Sequence, residues 1–225
     1  MELDQRQRTR EIDRRLRATR GERVWSSDGD GLGGLISTIL SQNTSDVNSR
    51  RAFASLTRTF PTWEAVLTVP AADVAEAIRS GGLANIKAPR IQSTVRYVLD
   101  HFPDGDLSGL TTLSLDEARR ALTAIPGVGM KTASCVLLFN LGMPAMPVDT
   151  HVHRVASRTG MIPARTSADA AHAILEGQLD GSLGRAYTFH LNCIAHGREI
   201  CLARGPACHI CPIQDLCRYF AGLPT

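Results

Sequence analysis

Prolines divide this chain into segments with the apolar spacing of helices, and this pattern constrains the fold more than any other feature. Apolar residues recur every three or four positions in successive segments, and most of the eleven prolines fall between those segments, where helices end. No stretch alternates apolar and polar residues as a half-buried strand would. The sequence therefore predicts an all-α fold.

The apolar spacing also predicts where the helices lie. In the segment 87–102 Pro89 is expected in the first turn, where a proline is tolerated. Ser114 and Glu117 form the pattern of a capping box at a helix start. Residues 1–23 are rich in arginine and poor in apolar residues, which predicts a solvated helix or a frayed tail, with a dedicated binding arm as the alternative. The predicted helices are 32–41, 46–58, 71–79, 87–102, 114–124, 130–141, 151–159, 167–177 and 183–196.

Composition narrows the class of protein. The chain has 225 residues, of which 43% are apolar and 21% charged, values typical of a globular protein with a real core. It contains no apolar run long enough to cross a membrane and begins with a charged stretch, so we expect a cytoplasmic protein without a membrane partner. Among 25 basic residues only Lys87 and Lys131 are lysines. Unlike a guanidinium, a lysine amine can lose its proton and act as a nucleophile.

Four of the six cysteines lie close together near the C-terminal end of the sequence, with the spacing C-x6-C-x2-C-x5-C. Four thiolates on one short loop can surround a metal centre. Disulfides are less expected in the cytoplasm, and structural zinc usually takes two C-x2-C pairs, so the spacing favours an iron–sulfur centre over zinc. Cys135 and Cys193 lie in apolar helical patterns and are predicted to be core residues. The four clustered residues are Cys201, Cys208, Cys211 and Cys217.

A glycine-rich turn separates two predicted helices in the stretch 122–139. Pro126 ends the first helix, and Gly127 and Gly129 permit a tight hairpin with exposed backbone amides before the next helix. Amides at a helix start can bind a phosphate oxygen, and glycines let a nucleic-acid backbone approach closely. An ordinary turn between helices is the alternative interpretation.

Lys131 follows this hairpin, in the first turn of the second helix. The helix dipole disfavours a positive charge there, and partial burial would lower the pKa of the amine further, which would favour a neutral nucleophile. Eighteen residues later comes Asp149, whose carboxylate could face the amine or an electron-poor sugar carbon. A helix cap is the alternative role for this aspartate.

In this order the motifs resemble those of one family. The chain reads LSQNTSDV, GLANIKA, LTAIPGVGMKTA, VDTHVHRV and HGREIC before the four-cysteine loop. It resembles the endonuclease III family, bifunctional DNA glycosylases and abasic-site lyases of the helix–hairpin–helix superfamily, over residues 32–218. The resemblance implies a [4Fe-4S] cluster on the four clustered cysteines. It also implies two all-α lobes, a six-helix barrel at 30–143 that contains the hairpin and a discontinuous iron–sulfur lobe formed by 1–29 and 144–225.

The resemblance also implies a reaction. Lys131 would attack the sugar C1′ of a flipped nucleotide, form a Schiff base and cleave the strand on the 3′ side, while Asp149 would stabilise the cationic sugar. Gln42 or Asn43 would fill the space left by the base, and Leu83 would wedge the opposite strand. The expected partner is double-stranded DNA with damaged pyrimidines or abasic sites, bound by a monomer associated with the nucleoid through DNA. The hairpin residues Gly127, Val128 and Gly129 would contact that DNA.

Some positions depart from the family pattern, and other functions compete. Met130 stands where arginine is common, and Ala84 stands where tyrosine is common. The main alternatives are a mismatch-specific thymine or uracil glycosylase and a non-catalytic DNA-binding redox module. An adenine glycosylase that acts opposite oxidised guanine would lack Lys131 and carry an extra C-terminal domain.

Overall fold

The computed structural model describes residues 3–27 and 29–222, and within these ranges all regular structure is helical. The predicted all-α fold is therefore confirmed. The α-helices are α1 (Gln5–Arg20), α2 (Gly31–Ser41), α3 (Asp46–Thr59), α4 (Trp63–Leu67), α5 (Ala71–Ala77), α6 (Ala84–His101), α7 (Leu115–Thr123), α8 (Met130–Cys135), α9 (Thr150–Thr159), α10 (Ala168–Gln178), α11 (Leu183–Glu199) and α12 (Arg218–Ala221). No helix of the described ranges is both long and apolar enough to cross a membrane.

The chain divides into two compact units. One unit comprises Ser27–Leu141 and the other comprises Met1–Ser26 with Gly142–Thr225. Each unit has its own apolar core, and Cys135 and Cys193 are buried as predicted. The largest fully buried side chains of the first unit include Leu35, Ile36, Ile39, Leu56, Ile91 and Leu122, and those of the second include Ile12, Leu16 and Phe189.

The N-terminal segment is a helix, but it is packed rather than solvated, and it is not a frayed tail. A capping box between Asp4 and Gln7 begins α1. Ile12 and Leu16, four residues apart, are fully buried, and α1 packs against α10 and α11. Few apolar residues suffice here because polar groups of the same face are also buried with partners, as Thr9 is against Gln178.

Helix α6 begins three residues earlier than predicted, and Pro89 is in its second turn. Leu83 precedes the helix in a left-handed conformation with φ 52°, and its carbonyl accepts hydrogen bonds from the amides of Ile86 and Lys87. The polar, exposed first turn gave no apolar signal, which is why the spacing placed the start too late. Pro89 removes the partner of the Asn85 carbonyl, and that loss is tolerated because Asn85 is exposed to water.

The predicted capping box of α7 is confirmed, since Ser114 and Glu117 bond to each other's backbone amides. Helix α8 is shorter than predicted and continues as one π turn, Val136–Asn140. The wider turn accompanies a run of consecutive apolar side chains, Val136, Leu137 and Leu138, which are all fully buried. These buried side chains anchor the C-terminal end of α8, the helix that follows the turn, in the core.

Candidate functional site

The glycine hairpin joins α7 and α8 as the sequence predicted. Gly127 has φ 79°, a backbone conformation that favours glycine, and a Cβ there would lie 2.5 Å from the Nε of Arg90, so the Arg90 side chain would have to shift. Gly129 precedes α8, and a Cβ built on it meets no described atom within 4 Å. Val128 is buried and donates its amide to the Ile125 carbonyl at 3.0 Å, which closes the turn.

Lys131 is the second residue of α8 and its side chain is half-buried. The first amides of a helix have no partner within it, so those of the first turn point out of this end of α8 towards the hairpin surface. The amine and these amides are therefore presented together by one short segment. Such an arrangement can offer a nucleophile beside hydrogen-bond donors for an oxygen anion.

Gln42 and Asn43, the two candidates for filling a vacated base position, differ in their surroundings. The Gln42 side chain accepts a hydrogen bond from Arg90 at 3.0 Å and donates to the Thr132 hydroxyl at 3.4 Å. Asn43 is exposed and has φ 54°, a left-handed conformation that asparagine tolerates. Gln42 is thus held against α8, whereas the Asn43 side chain is exposed to solvent.

Leu83 is 49% exposed although it is a leucine, and its positive φ places it at the outer end of α6. Ile86, one turn further along, is 66% exposed. Two neighbouring apolar side chains on the surface form a feature that folding alone does not explain, since their burial would be favourable by a few kcal/mol. A core position for Leu83 is excluded by this exposure.

Lys87 connects the two loops that carry these side chains, a role that the sequence did not show. Its side chain is buried, and the ammonium donates to the Leu40 carbonyl at 2.7 Å and to the Gly81 carbonyl at 2.9 Å. Burial lowers the pKa of Lys87 from its ordinary value. The lysine thereby fixes the residues just before Gln42 and just before Leu83 against the same helix.

We expect Lys87→Met to lower the free energy of unfolding by about 2–4 kcal/mol, because two buried carbonyls would each lose a charged donor. Chemical denaturation of both proteins would measure the change. Thr94→Val on the same helix is the matched control, because the buried Thr94 hydroxyl has no hydrogen-bond partner in the described ranges and its removal should leave stability unchanged or higher. Equal stability of Lys87→Met and the native protein would contradict the role of this lysine.

Asp149 begins α9 in the other unit. Its Oδ1 accepts a hydrogen bond from the Val152 amide at 2.8 Å, so the carboxylate does cap this helix. The residues before it are buried, and the Pro147 carbonyl is bonded to His190 at 2.9 Å. Asp149 is itself half-buried, and capping uses one lone pair of one oxygen, so the carboxylate retains acceptor capacity.

The four clustered cysteines line one cavity in the same unit as Asp149, with about 350 Å³ of space that is partly open to solvent. No group of three or more His, Cys, Asp or Glu side chains in residues 3–27 and 29–222 is placed to hold a single metal ion. The cavity walls are otherwise mainly apolar and include Ile200, Ile213 and Phe220. Four thiols around one apolar cavity fit an iron–sulfur cluster, which is held by four cysteine thiolates.

Burial and local hydrogen bonds have opposite effects on the pKa values of the cavity thiols. Burial raises the pKa of Cys211 to about 11 and also raises that of Cys217. Backbone hydrogen bonds act in the opposite direction, from Ile213 to Cys211 and from Tyr219 and Phe220 to Cys217. Metal binding deprotonates such thiols, and the same amides then stabilise the bound sulfur atoms.

Arginines from two helices hold the backbone of the cysteine loop. Arg154 donates to the Cys201 carbonyl at 2.8 Å, and Arg158 donates to the Cys201 sulfur at 3.4 Å and the Leu202 carbonyl at 2.6 Å. From α1, Arg8 donates to the Leu216 carbonyl and Arg15 pairs with Asp215. The arginine-rich N-terminal helix therefore supports the cysteine loop.

Sequence reasoning missed several of these supporting residues. Arg90 contacts both Gln42 and the position of Gly127, and Arg154 and Arg158 hold Cys201. Only Lys87 carried a signal, since it is one of two lysines in a chain that otherwise uses arginine. The arginines are inconspicuous among 23 because each acts on a carbonyl or side chain distant in the sequence.

Two family models match the chain. Residues 36–179 match the HhH-GPD superfamily of base excision DNA repair proteins, and residues 201–217 match the iron–sulfur binding domain of endonuclease III. The second match covers the cysteine cavity and confirms the predicted [4Fe-4S] cofactor. The first match includes the hairpin, Lys131 and Asp149.

Curated relatives and solved structures agree with these matches. A protein of Arabidopsis thaliana described as a candidate DNA glycosylase is 40% identical over 169 residues, which are 74% of this chain and 56% of that protein. Endonuclease III of Rickettsia conorii is 36% identical over 84% of each chain. A solved structure described as a trapped covalent intermediate of endonuclease III with DNA superposes with a TM-score of 0.80 and 27% identity, over 97% of this chain and 98% of that one.

The predicted resemblance to the endonuclease III family is thus confirmed along most of the chain. It includes both the glycine hairpin and the four-cysteine loop. The chain belongs to the HhH-GPD superfamily of base excision DNA repair proteins and, within it, to the endonuclease III family.

Proposed function

We propose that this protein is a DNA glycosylase and abasic-site lyase that removes oxidised pyrimidines from double-stranded DNA through Lys131. The observation that carries the proposal is the position of this half-buried amine in the first turn of α8, directly after an open glycine hairpin. DNA binding alone requires no lysine at that point, whereas imine chemistry requires a primary amine.

The reaction uses residue types that the chain supplies. A base inside a duplex is out of reach, so the nucleotide is flipped out at a cost of a few kcal/mol. The amine nitrogen of Lys131 attacks C1′, the bond from C1′ to the base nitrogen breaks, and the base departs with the bonding electron pair and a proton. The lysine nitrogen then loses a proton and forms the C1′=N bond as the C1′–O4′ bond breaks, and O4′ leaves as a hydroxyl. The resulting Schiff base acidifies the C2′ hydrogen, and loss of that proton expels the 3′ phosphate by β-elimination. The Asp149 carboxylate stabilises the cationic sugar and assists the proton transfers.

The hairpin holds the DNA backbone in this proposal. The open space around Gly129 allows a phosphate to approach, and the amides of this turn and of the first turn of α8 donate to it. Val128 contributes through its buried side chain and its bond to Ile125, which keep Gly127 and Gly129 at the surface. These contacts position the duplex without reading its sequence.

Leu83 enters the strand opposite the flipped nucleotide, and exposed Ile86 extends the same apolar edge. When bases cover such an apolar wedge, its side chain is removed from water. This burial offsets part of the free-energy cost of inserting it between base steps. This role accounts for two large apolar side chains at a surface that folding leaves uncovered.

We assign the plug to Asn43. It is the exposed member of the pair, whereas Gln42 is held by Arg90 and Thr132. We expect Asn43→Ala to lower the rate of base removal from a duplex about tenfold without changing the melting temperature, because leaving the vacated stack unfilled makes flipping less favourable by about 1.4 kcal/mol. Single-turnover assays stopped at successive times would measure the rate of base removal. The same variant should cleave a single-stranded abasic site at the native rate, since no stack needs to be filled there. An equal loss on both substrates would contradict the assignment.

The [4Fe-4S] cluster is held by Cys201, Cys208, Cys211 and Cys217 in this proposal and cross-links the loop 201–217.

The six-helix barrel would comprise residues 30–143, and the iron–sulfur lobe would comprise 1–29 with 144–225. A monomer that acts at the nucleoid is the expected working form, because one lesion requires one site.

Borohydride trapping on a duplex with one thymine glycol tests the function. We expect a covalent adduct between protein and DNA, since borohydride reduces the imine formed by the lysine. A duplex with a preformed abasic site is the positive control for the lyase step. If folded protein with its cluster gives no adduct on either duplex, the lyase function is wrong. Release of mismatched thymine or uracil without strand cleavage would then indicate a mismatch-specific glycosylase, and binding alone would indicate a non-catalytic module.

A further inference from the structure

An open groove lies between α3 and the segment just before Leu83. It encloses about 980 Å³ of space that is partly open to solvent. Along one side run Arg51, Ala54, Ser55 and Arg58 of α3, and the other side is formed by Glu76, Ala77, Arg79 and Ser80. All of these residues belong to the unit Ser27–Leu141.

The groove is basic, with three arginines and one carboxylate. Glu76 is paired with Arg79, and both of these side chains are exposed. Arg51 and Arg58 are exposed as well, and within the described ranges neither forms an ion pair or a side-chain hydrogen bond. Exposed guanidiniums on a surface that also offers serine hydroxyls match a phosphate, which is bound by charge-assisted hydrogen bonds.

The spacing of the arginines matches a nucleic-acid strand. Arg51 and Arg58 are seven residues apart on one face of α3, which separates their backbones by about 10 Å. A strand of B-DNA advances 3.4 Å per nucleotide along the helix axis, so phosphates about three nucleotides apart have this separation along the axis. Ala54 and Ser55, which lie between the arginines, are small enough to let a backbone approach closely.

The groove also continues the surface to which the proposed function assigns DNA. Ser80 is three residues before Leu83, and Gly81 between them accepts the hydrogen bond from Lys87. On the other side of the groove, α3 begins three residues after Asn43. The two residues proposed to enter the stacked bases thus flank the segments that build the groove.

We propose that this groove binds the phosphodiester backbone of the duplex beyond the flipped nucleotide, with Arg51 and Arg58 as the main phosphate contacts. The inference rests on the proposed function, because it extends a DNA surface centred on Asn43 and Leu83. The inference also requires a minimum length of duplex on one side of the lesion, since that side must extend far enough to fill the groove.

The test is the salt dependence of binding to a duplex with a reduced abasic analogue, measured by fluorescence anisotropy between about 50 and about 200 mM salt. Each lost phosphate contact lowers the slope of log K against log salt by about 0.9, so Arg51→Gln/Arg58→Gln should lower it by about 1.8. Binding at the low end of this range should weaken about tenfold. The pair Arg96→Gln/Arg165→Gln removes the same charge from exposed arginines outside the groove and should lower the slope by less than half as much.

Shortening the duplex gives a second readout. Native protein should lose affinity when the far end of the arm that reaches the groove is trimmed and lose less when the other arm is trimmed by the same length. The groove variant should respond equally to both cuts. An equal slope for the groove pair and the control pair, in a variant still trapped by borohydride, overturns the groove and leaves the proposed function standing. A reduced slope in a protein that forms no adduct supports the groove and counts against the lyase function alone.

Discussion

Replacing Lys131 with glutamine is expected to abolish borohydride trapping and to lower strand cleavage by at least about 10³-fold, the scale of effect seen when an enzyme loses its nucleophile. Glutamine keeps a side chain of similar length on α8 but has no basic amine, so no imine can form. Single-turnover cleavage of a thymine glycol duplex and gel analysis of the trapped adduct would measure both effects.

Binding should survive this change. The hairpin amides belong to the backbone, and Gln42 is held through Thr132 and Arg90, so the affinity for a reduced abasic duplex should stay within about threefold. Lys131→Arg is the second test, since it keeps the positive charge and removes only the nucleophile. Met130→Ala is the matched control on the same turn and should still form the adduct. An adduct that persists in Lys131→Gln would place the nucleophile at another residue.

The parts of this site that the sequence predicted depend on local structure. Pro126, Gly127 and Gly129 determine their own turn, and the position of Lys131 in the next helix follows from counting along the chain. The capping box at Ser114 is local in the same way. The four cysteines lie within 17 residues, so a short loop brings them together without help from distant contacts.

Other features depend on contacts between residues far apart in the sequence. Lys87 reaches a carbonyl 47 residues away, and Arg90 reaches a side chain 48 residues away. No periodicity or spacing shows such pairs, because a donor and a carbonyl of any residue type satisfy them equally. The charge pattern did not show the packing of α1 for the same reason, since Arg8 and Thr9 find their partners in α9, α10 and the cysteine loop.

The exposure of Leu83 marks a different limit. A leucine beside apolar neighbours is ordinarily assigned to the core, and only the left-handed backbone before α6 reveals that its side chain faces outwards. The resemblance to a family suggested its role, and the structure supplies the exposed surface that the role needs.

Cys208→Ser is expected to remove the iron–sulfur cluster and to unfold the loop 201–217. Within that loop regular structure is limited to two short 3-10 turns, Cys208–Ile210 and Gln214–Leu216, and the four thiols surround the cavity that the cluster would fill. Binding free energy of a metal centre is also folding free energy, so its loss removes the main cross-link of this segment. Iron content and visible absorption should fall to background.

The loss should extend into the rest of its unit, because Arg8, Arg15, Arg154 and Arg158 all bond to residues of the loop and would lose their partners. A cost of about 4 kcal/mol would lower the melting temperature by about 10 °C for a chain of this size. Cys193→Ala is the matched control: Cys193 is fully buried in the same unit, apart from the cavity lining, so iron content should be unchanged. Native iron content in Cys208→Ser would contradict the ligand assignment, and native protein that contains zinc would contradict the cofactor itself.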